Sequence, residues 1–184
     1  IVNGIAESED ITSLYGTGTE NQPKGIVTAC AANKVADTGE VTIAMMDNIV
    51  GKMVATKLPQ ADFAWRIPGV LWAKLRGLKD EKGNYAFRDE MKDGLLCGYP
   101  FVIDNNIRVN SDANKTTQIF FGSWKHFLIG VASELKISLS DSASYTVDGK
   151  QVSAFENDLT LMRGILREDF GVRYEEAFTY ADGV

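Results

Sequence analysis

Few side chains in this sequence could do acid–base or nucleophilic chemistry, and they are scattered. His126 is the one histidine, so a nucleophilic triad or an imidazole general base would have to be built on it. Its neighbours Trp124, Phe127 and Leu128 suggest instead a strand histidine packed between aromatics. Carboxylates adjoin at Glu168-Asp169 and Glu175-Glu176, but neighbours along a strand point to opposite faces and cannot share one substrate. Cys30 and Cys97 lie far apart, without CxxC spacing or a nearby histidine, so neither a zinc site nor a redox motif is supported. They read as free, buried thiols, a usage that fits a reducing cytoplasm. No catalytic, cofactor-binding or metal-ligating residue is assigned, and an α+β enzyme acting through His126 is the least supported reading.

Phosphate chemistry fares no better. The stretch LYGTGTENQPKGI, from Leu14 to Ile26, carries Gly16, Gly18, Gly25 and Pro23, the punctuation of a loop that needs positive φ or close backbone approach. A nucleotide loop would end Gly-Lys-Ser/Thr, so that amides cradle phosphate and a hydroxyl holds magnesium; here Lys24 is followed by Gly25 and Ile26. Lys74, Arg76 and Lys79 cluster, but at a spacing that fits a solvated helix face. The formal net charge of −6 argues against nucleic-acid binding by the surface as a whole. Asn114-Lys115-Thr116 matches a glycosylation sequon but carries no meaning without secretion, and no secretory leader is visible at Ile1.

The elements that would carry these residues are those of one large domain or two small interleaved ones. The 184 residues, 45% hydrophobic and 24% charged, have ordinary globular composition, and the apolar runs at Ile43–Met46 and Phe127–Ala132 fall far short of the ~20 residues that cross a bilayer. Ile43, Met46, Ile49, Val50 and Met53 recur at spacings of three and four and predict a helix from Thr38 to Lys57, capped by Thr38 or Thr42, with its Met stripe against a sheet. Phe63–Ile67 predicts a short strand; after Pro68 a helix through Val70, Leu71, Trp72 and Leu75 should end near Gly77, before a turn at Asp80–Asn84. Leu95–Ile103 and Thr117–Phe121 predict strands separated by the polar loop Asp104–Lys115. Phe127–Val131 and Leu135–Leu139 predict two more, the second with one buried and one wet face, and Asp148-Gly149 predicts a turn. Ser153–Phe170 is open between strand and helix, with strand favoured. Strands and helices without regular βαβ order make the fold class α+β.

Five signatures hold one order along the chain: LYGTGTENQPKGI, FAWRIPGVLWAKLRGLKDEKGNY (Phe63–Tyr85), GYPFVI (Gly98–Ile103), IFFGSW (Ile119–Trp124) and RYEEAF (Arg173–Phe178). Together they resemble the major capsid proteins of tailed bacteriophages and prophages, the family with the HK97 shell fold. The resemblance implies an axial domain (residues 28–129 and 169–184) and a portion of a peripheral domain (1–27 and 130–168). It implies a structural protein of the virion, made in the bacterial cytoplasm, that self-assembles into pentamers and hexamers of an icosahedral head around double-stranded DNA. Its partners would be copies of itself, with scaffold, portal or protease proteins; no cofactor, metal, membrane or specific nucleic-acid site is implied. The alternative within the same fold is an encapsulin-like compartment subunit that encloses an enzyme.

Family members are usually about twice as long, so the start at Ile1 is expected to follow a removed N-terminal arm and most of a spine helix, leaving a fragment that is monomeric or weakly associated. Some branches weld subunits by an isopeptide bond to an asparagine. Asn157 lies in the comparable region, but Gly164 stands where an assisting acidic residue would be expected, and crosslinking is not predicted. The acidic balance implies an inner wall that does not grip packaged DNA.

Overall fold

The computed structural model describes residues 2–19, 22–35, 39–110 and 116–184. The chain forms α1 (Val2–Tyr15), α2 (Ile26–Ala29), β1 (Lys34–Val35), α3 (Ile43–Val54), β2 (Phe63–Ile67), α4 (Gly69–Gly77), β3 (Leu95–Leu96), β4 (Tyr99–Ile103) and β5 (Gln118–Ser123). There follow β6 (Phe127–Ser140), β7 (Ser144–Val147), β8 (Lys150–Ser153), β9 (Leu161–Val172) and β10 (Phe178–Asp182), with short 3-10 turns between several elements. The class is α+β.

The chain divides into two units. The larger comprises Glu7–Leu128 and Phe170–Val184, the smaller Ile1–Ala6 and Ile129–Asp169.

In the larger unit a six-stranded sheet runs in the order β1-β10-β5-β2-β4-β3. Central β5 is antiparallel to both β10 and β2, while β4 runs parallel to β2 and β1 parallel to β10. Because neighbours along a strand alternate faces, β5 supplies two cores. Ile119 and Phe121 join Trp65, Ile67, the α3 residues Met45, Met46, Ile49 and Met53, and the α4 residues Leu71 and Leu75 on one face. Phe120 joins Leu14, Ile26, Cys30, Phe178 and Tyr180 on the other. Burial on both faces explains why IFFGS has no polar alternation.

Phe121 is the pivot of the first core. Its ring lies 4.2 Å from Trp65, 5.1 Å from Tyr99 and 5.7 Å from Phe63. The Trp65 Nε1–H donates to Leu96 O at 2.8 Å, so the indole is both buried and satisfied. Each such ring contributes about 2–3 kcal/mol by burial alone.

The predicted helix at 38–57 is shorter. Thr42 caps it by accepting from Met45 N at 3.2 Å; Thr38 lies outside the described residues, and the helix ends at Val54. The Met stripe does pack on the sheet. Phe63–Ile67 and the helix after Pro68 form as predicted, Pro68 standing at the N-cap.

Three expectations need correction, and one helix adds to them. Leu95–Ile103 is a hairpin, not one strand, because Cys97 and Gly98 both take positive φ (50° and 78°) and the Glu90 carboxylate accepts from both their amides. Phe127–Ser140 is one 14-residue strand, and Ile137 and Leu139 are 49% and 64% exposed instead of lining a buried face. In the stretch Ser153–Phe170, Ser153 ends β8, residues 154–158 turn, and the favoured strand holds only from Leu161, where β9 begins. Helix α1 was not foreseen: its apolar residues are sparse, and Leu14 is the one it buries. The Asp148-Gly149 turn is present, with φ 50° and 75°, as a two-residue hairpin loop between β7 and β8.

Candidate functional site

His126 sits in a 3-10 turn, Trp124–His126, and not in a strand. Its ring meets Tyr174 edge-on at 5.1 Å, and its carbonyl accepts from Arg173 N at 2.8 Å. Nδ1 is buried and has no hydrogen-bond partner among the described residues, so no carboxylate among them orients the imidazole through Nδ1 as a catalytic base requires. The neighbouring Phe127 stacks on Phe170 at 5.8 Å. His126 is thus a packing residue among aromatics, although not by the strand geometry expected.

The other candidates remain apart. Glu175 and Glu176 lie in a 3-10 turn, which removes the opposite-face argument; both are exposed. The turn is pinned where Asn33 Nδ2 donates to Glu175 O at 2.5 Å, and it edges an open depression of about 470 Å³ lined also by Ala32, Asn33, Arg173 and Tyr174. Glu168 and Asp169 are in β9. Cys30 and Cys97 are free thiols, Cys30 buried as expected but Cys97 only half-buried; desolvation pushes their pKa values up to about 11 and about 12, which keeps them protonated and poorly nucleophilic. Among the described residues no three His, Cys, Asp or Glu side chains gather as metal ligands. Among the same residues no helix is long and apolar enough to cross a membrane.

The glycine-rich loop is a structural closure. Gly25 N donates to Gly16 O at 2.9 Å, and Thr17 bridges Lys24. A Cβ on Gly25 would lie 2.7 Å from Leu14 O, and one on Gly16 would strike Pro23 O, so the glycines serve close backbone approach. Glu20 and Asn21 of this loop lie outside the described residues. So do residues 111–115 of the polar loop, including Asn114 of the sequon. Asp104 of that loop is buried and paired with Arg66 at 2.9 Å.

Two surface features stand out. The first is basic: Arg76 lies over Trp72 at 4.7 Å, while Lys79 and Arg88 lie over Tyr85 at 5.2 and 3.4 Å. The sequence pointed to Lys74, Arg76 and Lys79 but missed Arg88, which only the 78–86 hairpin brings beside Lys79. The second is apolar: in the smaller unit β6 pairs with β9, and β7–β8 forms a second hairpin. Ile129, Val131, Ile137, Leu139, Val147 and Phe155 are exposed there, Phe155 at 81%. A two-stranded ribbon is marginal on its own, and exposed apolar surface of this extent marks an interaction face. Asn157, beside Phe155, donates to Ser153 O at 2.8 Å, and Gly164 lies within β9.

The sequence model described as the phage capsid family matches residues 1–183. The chain is 28% identical over 194 aligned positions to the major capsid protein of Klebsiella oxytoca phage phiKO2, covering all of this chain and 45% of that protein. Among solved structures it is similar to the capsid of an empty GTA particle (TM-score 0.70, 17% identity, 98% of this chain and 63% of that one). It is also similar to a structure from Gordonia phage Cozz (TM-score 0.69, 13% identity, 98% and 60%). These likenesses give the α+β, HK97-like capsid fold. The chain belongs to the phage capsid family, and it spans about half the length of the curated relative it matches.

Proposed function

We propose that this chain is the shell-forming part of a major capsid protein, a structural subunit that tiles with copies of itself into the pentamers and hexamers of an icosahedral head around double-stranded DNA. The observation that carries this reading is the family match along residues 1–183, and the bare ribbon of the smaller unit is the kind of surface that tiling demands. In this reading residues 28–129 and 169–184 form the axial domain and residues 1–27 and 130–168 a portion of the peripheral domain, although residues 7–27 cluster with the larger unit. Shell subunits need many moderate, repeated interfaces, because numerous weak contacts close a stable surface while each stays reversible enough to correct errors. The subunit is made in the bacterial cytoplasm and resides in the virion, and scaffold, portal or protease proteins act on it during assembly. Its role needs no enzyme chemistry.

Negative-stain electron microscopy of the full-length protein expressed in bacteria tests this. Uniform closed particles support the reading, and their contents separate a head from an enzyme-filled compartment. Dispersed monomers, even beside neighbouring head proteins, would overturn it.

A further inference from the structure

The basic surface on the 72–88 segment is unusual for so acidic a chain. Between Trp72 and Arg88 there are five cations (Lys74, Arg76, Lys79, Lys82 and Arg88) against two carboxylates, Asp80 and Glu81. Asp80 is occupied by its own turn: Oδ1 accepts from Lys82 N and Asn84 N at 2.9 and 2.8 Å, and Oδ2 accepts from Asn84 Nδ2 at 3.2 Å. Lys74 is engaged elsewhere. The other four cations make no ion pair among the described residues, whereas Lys92 beyond them is paired with Asp89 at 2.6 Å. The patch is also held in place. Asp80 N donates to Asn84 O and Ala86 N to Leu78 O, a closed hairpin, and the rings of Trp72 and Tyr85 seat Arg76, Lys79 and Arg88. A cation seated on an aromatic face keeps N–H donors free for an incoming anion.

An opposite surface exists on the same unit. The Glu175-Glu176 turn exposes two adjacent carboxylates with no ion pair among the described residues, at the rim of the depression that also holds Arg173 and Tyr174. That turn leads into β10 and the basic segment follows β2, with β5 between those two strands in the sheet. A basic patch repels its own copy, so a two-fold, patch-on-patch dimer is disfavoured; basic hairpin against acidic turn is a head-to-tail contact, the type that closes into rings.

We propose that the 78–88 hairpin of one copy docks by Lys79, Lys82 and Arg88 on the Glu175-Glu176 turn of a second copy, and that this charge pairing sets the direction in which subunits join around a ring. The inference rests on the self-assembly reading above and adds the contact to it. Two chains of net charge −6 repel at long range, so the pairing acts within a Debye length of about 8–10 Å and weakens with salt. Its effect falls on specificity and on-rate more than on raw affinity.

The test uses the full-length protein, with shell yield and assembly rate read by light scattering and electron microscopy across sodium chloride concentrations. Lys79→Glu with Arg88→Glu should slow assembly at least tenfold at low salt. Adding Glu175→Lys and Glu176→Lys to that variant should restore at least half the wild-type rate. Because Arg88 is half-buried, Lys79→Glu with Lys82→Glu, both exposed, is run in parallel and should behave alike. Circular dichroism of each variant confirms folding. Wild-type rates in the folded charge-reversed variants, or no recovery on the swap, would overturn the contact while leaving the shell reading intact. Charge reversal that abolishes retention of labelled duplex DNA but leaves assembly unchanged would reassign the patch to phosphate binding. Absence of shells from the wild-type protein would remove both readings.

Discussion

Arg66 of β2 reaches past the end of β4 to put Nη1 2.9 Å from Oδ2 of Asp104. Asp104 is 9% exposed, and its other oxygen accepts from Asn106 N at 3.0 Å. The guanidinium also lies over Trp124 at 4.5 Å, and that indole donates to Ala64 O at 3.0 Å. One carboxylate thereby ties the end of β4 to the middle of β2 and to the turn that carries His126.

Removing that carboxylate should be costly, because it strands a half-buried guanidinium and a backbone amide together. Asp104→Ala is expected to lower stability by about 2 kcal/mol, less than a fully buried pair would lose, since Arg66 retains some solvent. Urea denaturation of the purified chain measures this, and a loss under about 0.5 kcal/mol would reduce the pair to decoration.

Two glycines should respond in opposite directions to alanine. A Cβ on Gly122 would collide with Ala177 O and the Phe178 ring, with Phe178 Cα at 2.9 Å, so Gly122→Ala should cost about 3 kcal/mol or prevent folding. Gly51 lies in α3 with nothing within 4 Å of an added methyl group, and Gly51→Ala should add about 0.5–1 kcal/mol through helix propensity. Thermal melts of the two variants beside the wild type decide both.

Both thiols have pKa values raised by burial from about 9, Cys30 to about 11 with help from Glu175 and Cys97 to about 12 with help from Glu90. Folding therefore favours the protonated form: this contribution is fully present below pH about 9 and is lost as pH rises toward 11–12. Stability should be insensitive to these groups between about pH 7 and 8.5 and should fall above about 9, less steeply in Cys30→Ala and Cys97→Ala. At about pH 8 a disulfide reagent should label the native chain at least tenfold more slowly than the urea-unfolded chain; equal rates would contradict the burial.

Phe155 is the most exposed large apolar side chain described, and in the tiling reading it is covered by another subunit. Phe155→Ser should leave the melting temperature within about 2 °C and yet reduce shell yield severalfold when carried in the full-length protein. The 184-residue chain alone should run as a monomer or weak oligomer in light scattering; a stable pentamer or hexamer at micromolar concentration would contradict that expectation.

The sequence made the sheet unit legible where local chemistry and burial agree. FAWRIPGVLW reads as a strand, a proline and a helix because its alternation, its proline and its helical spacing each have a single solution, and α3 declares itself by its Met stripe and the Thr42 cap. The hairpin at Cys97-Gly98 escaped because cysteine is not a turn residue; its positive φ is held by the Glu90 carboxylate, seven residues earlier, a partner that no local pattern announces. The alternation Leu135, Ile137, Leu139 correctly marked an extended strand, but alternation records only that a face is apolar. Whether anything in the same chain covers that face is a tertiary matter. The basic patch was half visible for a related reason: Lys79 and Arg88 become neighbours only through Tyr85, to which each is drawn across the hairpin.

The chain passes between its two units three times, at Ala6–Glu7 in α1, Leu128–Ile129 in β6 and Asp169–Phe170 in β9. Connectivity of this kind is redundant. A single backbone cut at any one crossing leaves the two units covalently joined through the others, so separating them takes more than one break in the chain.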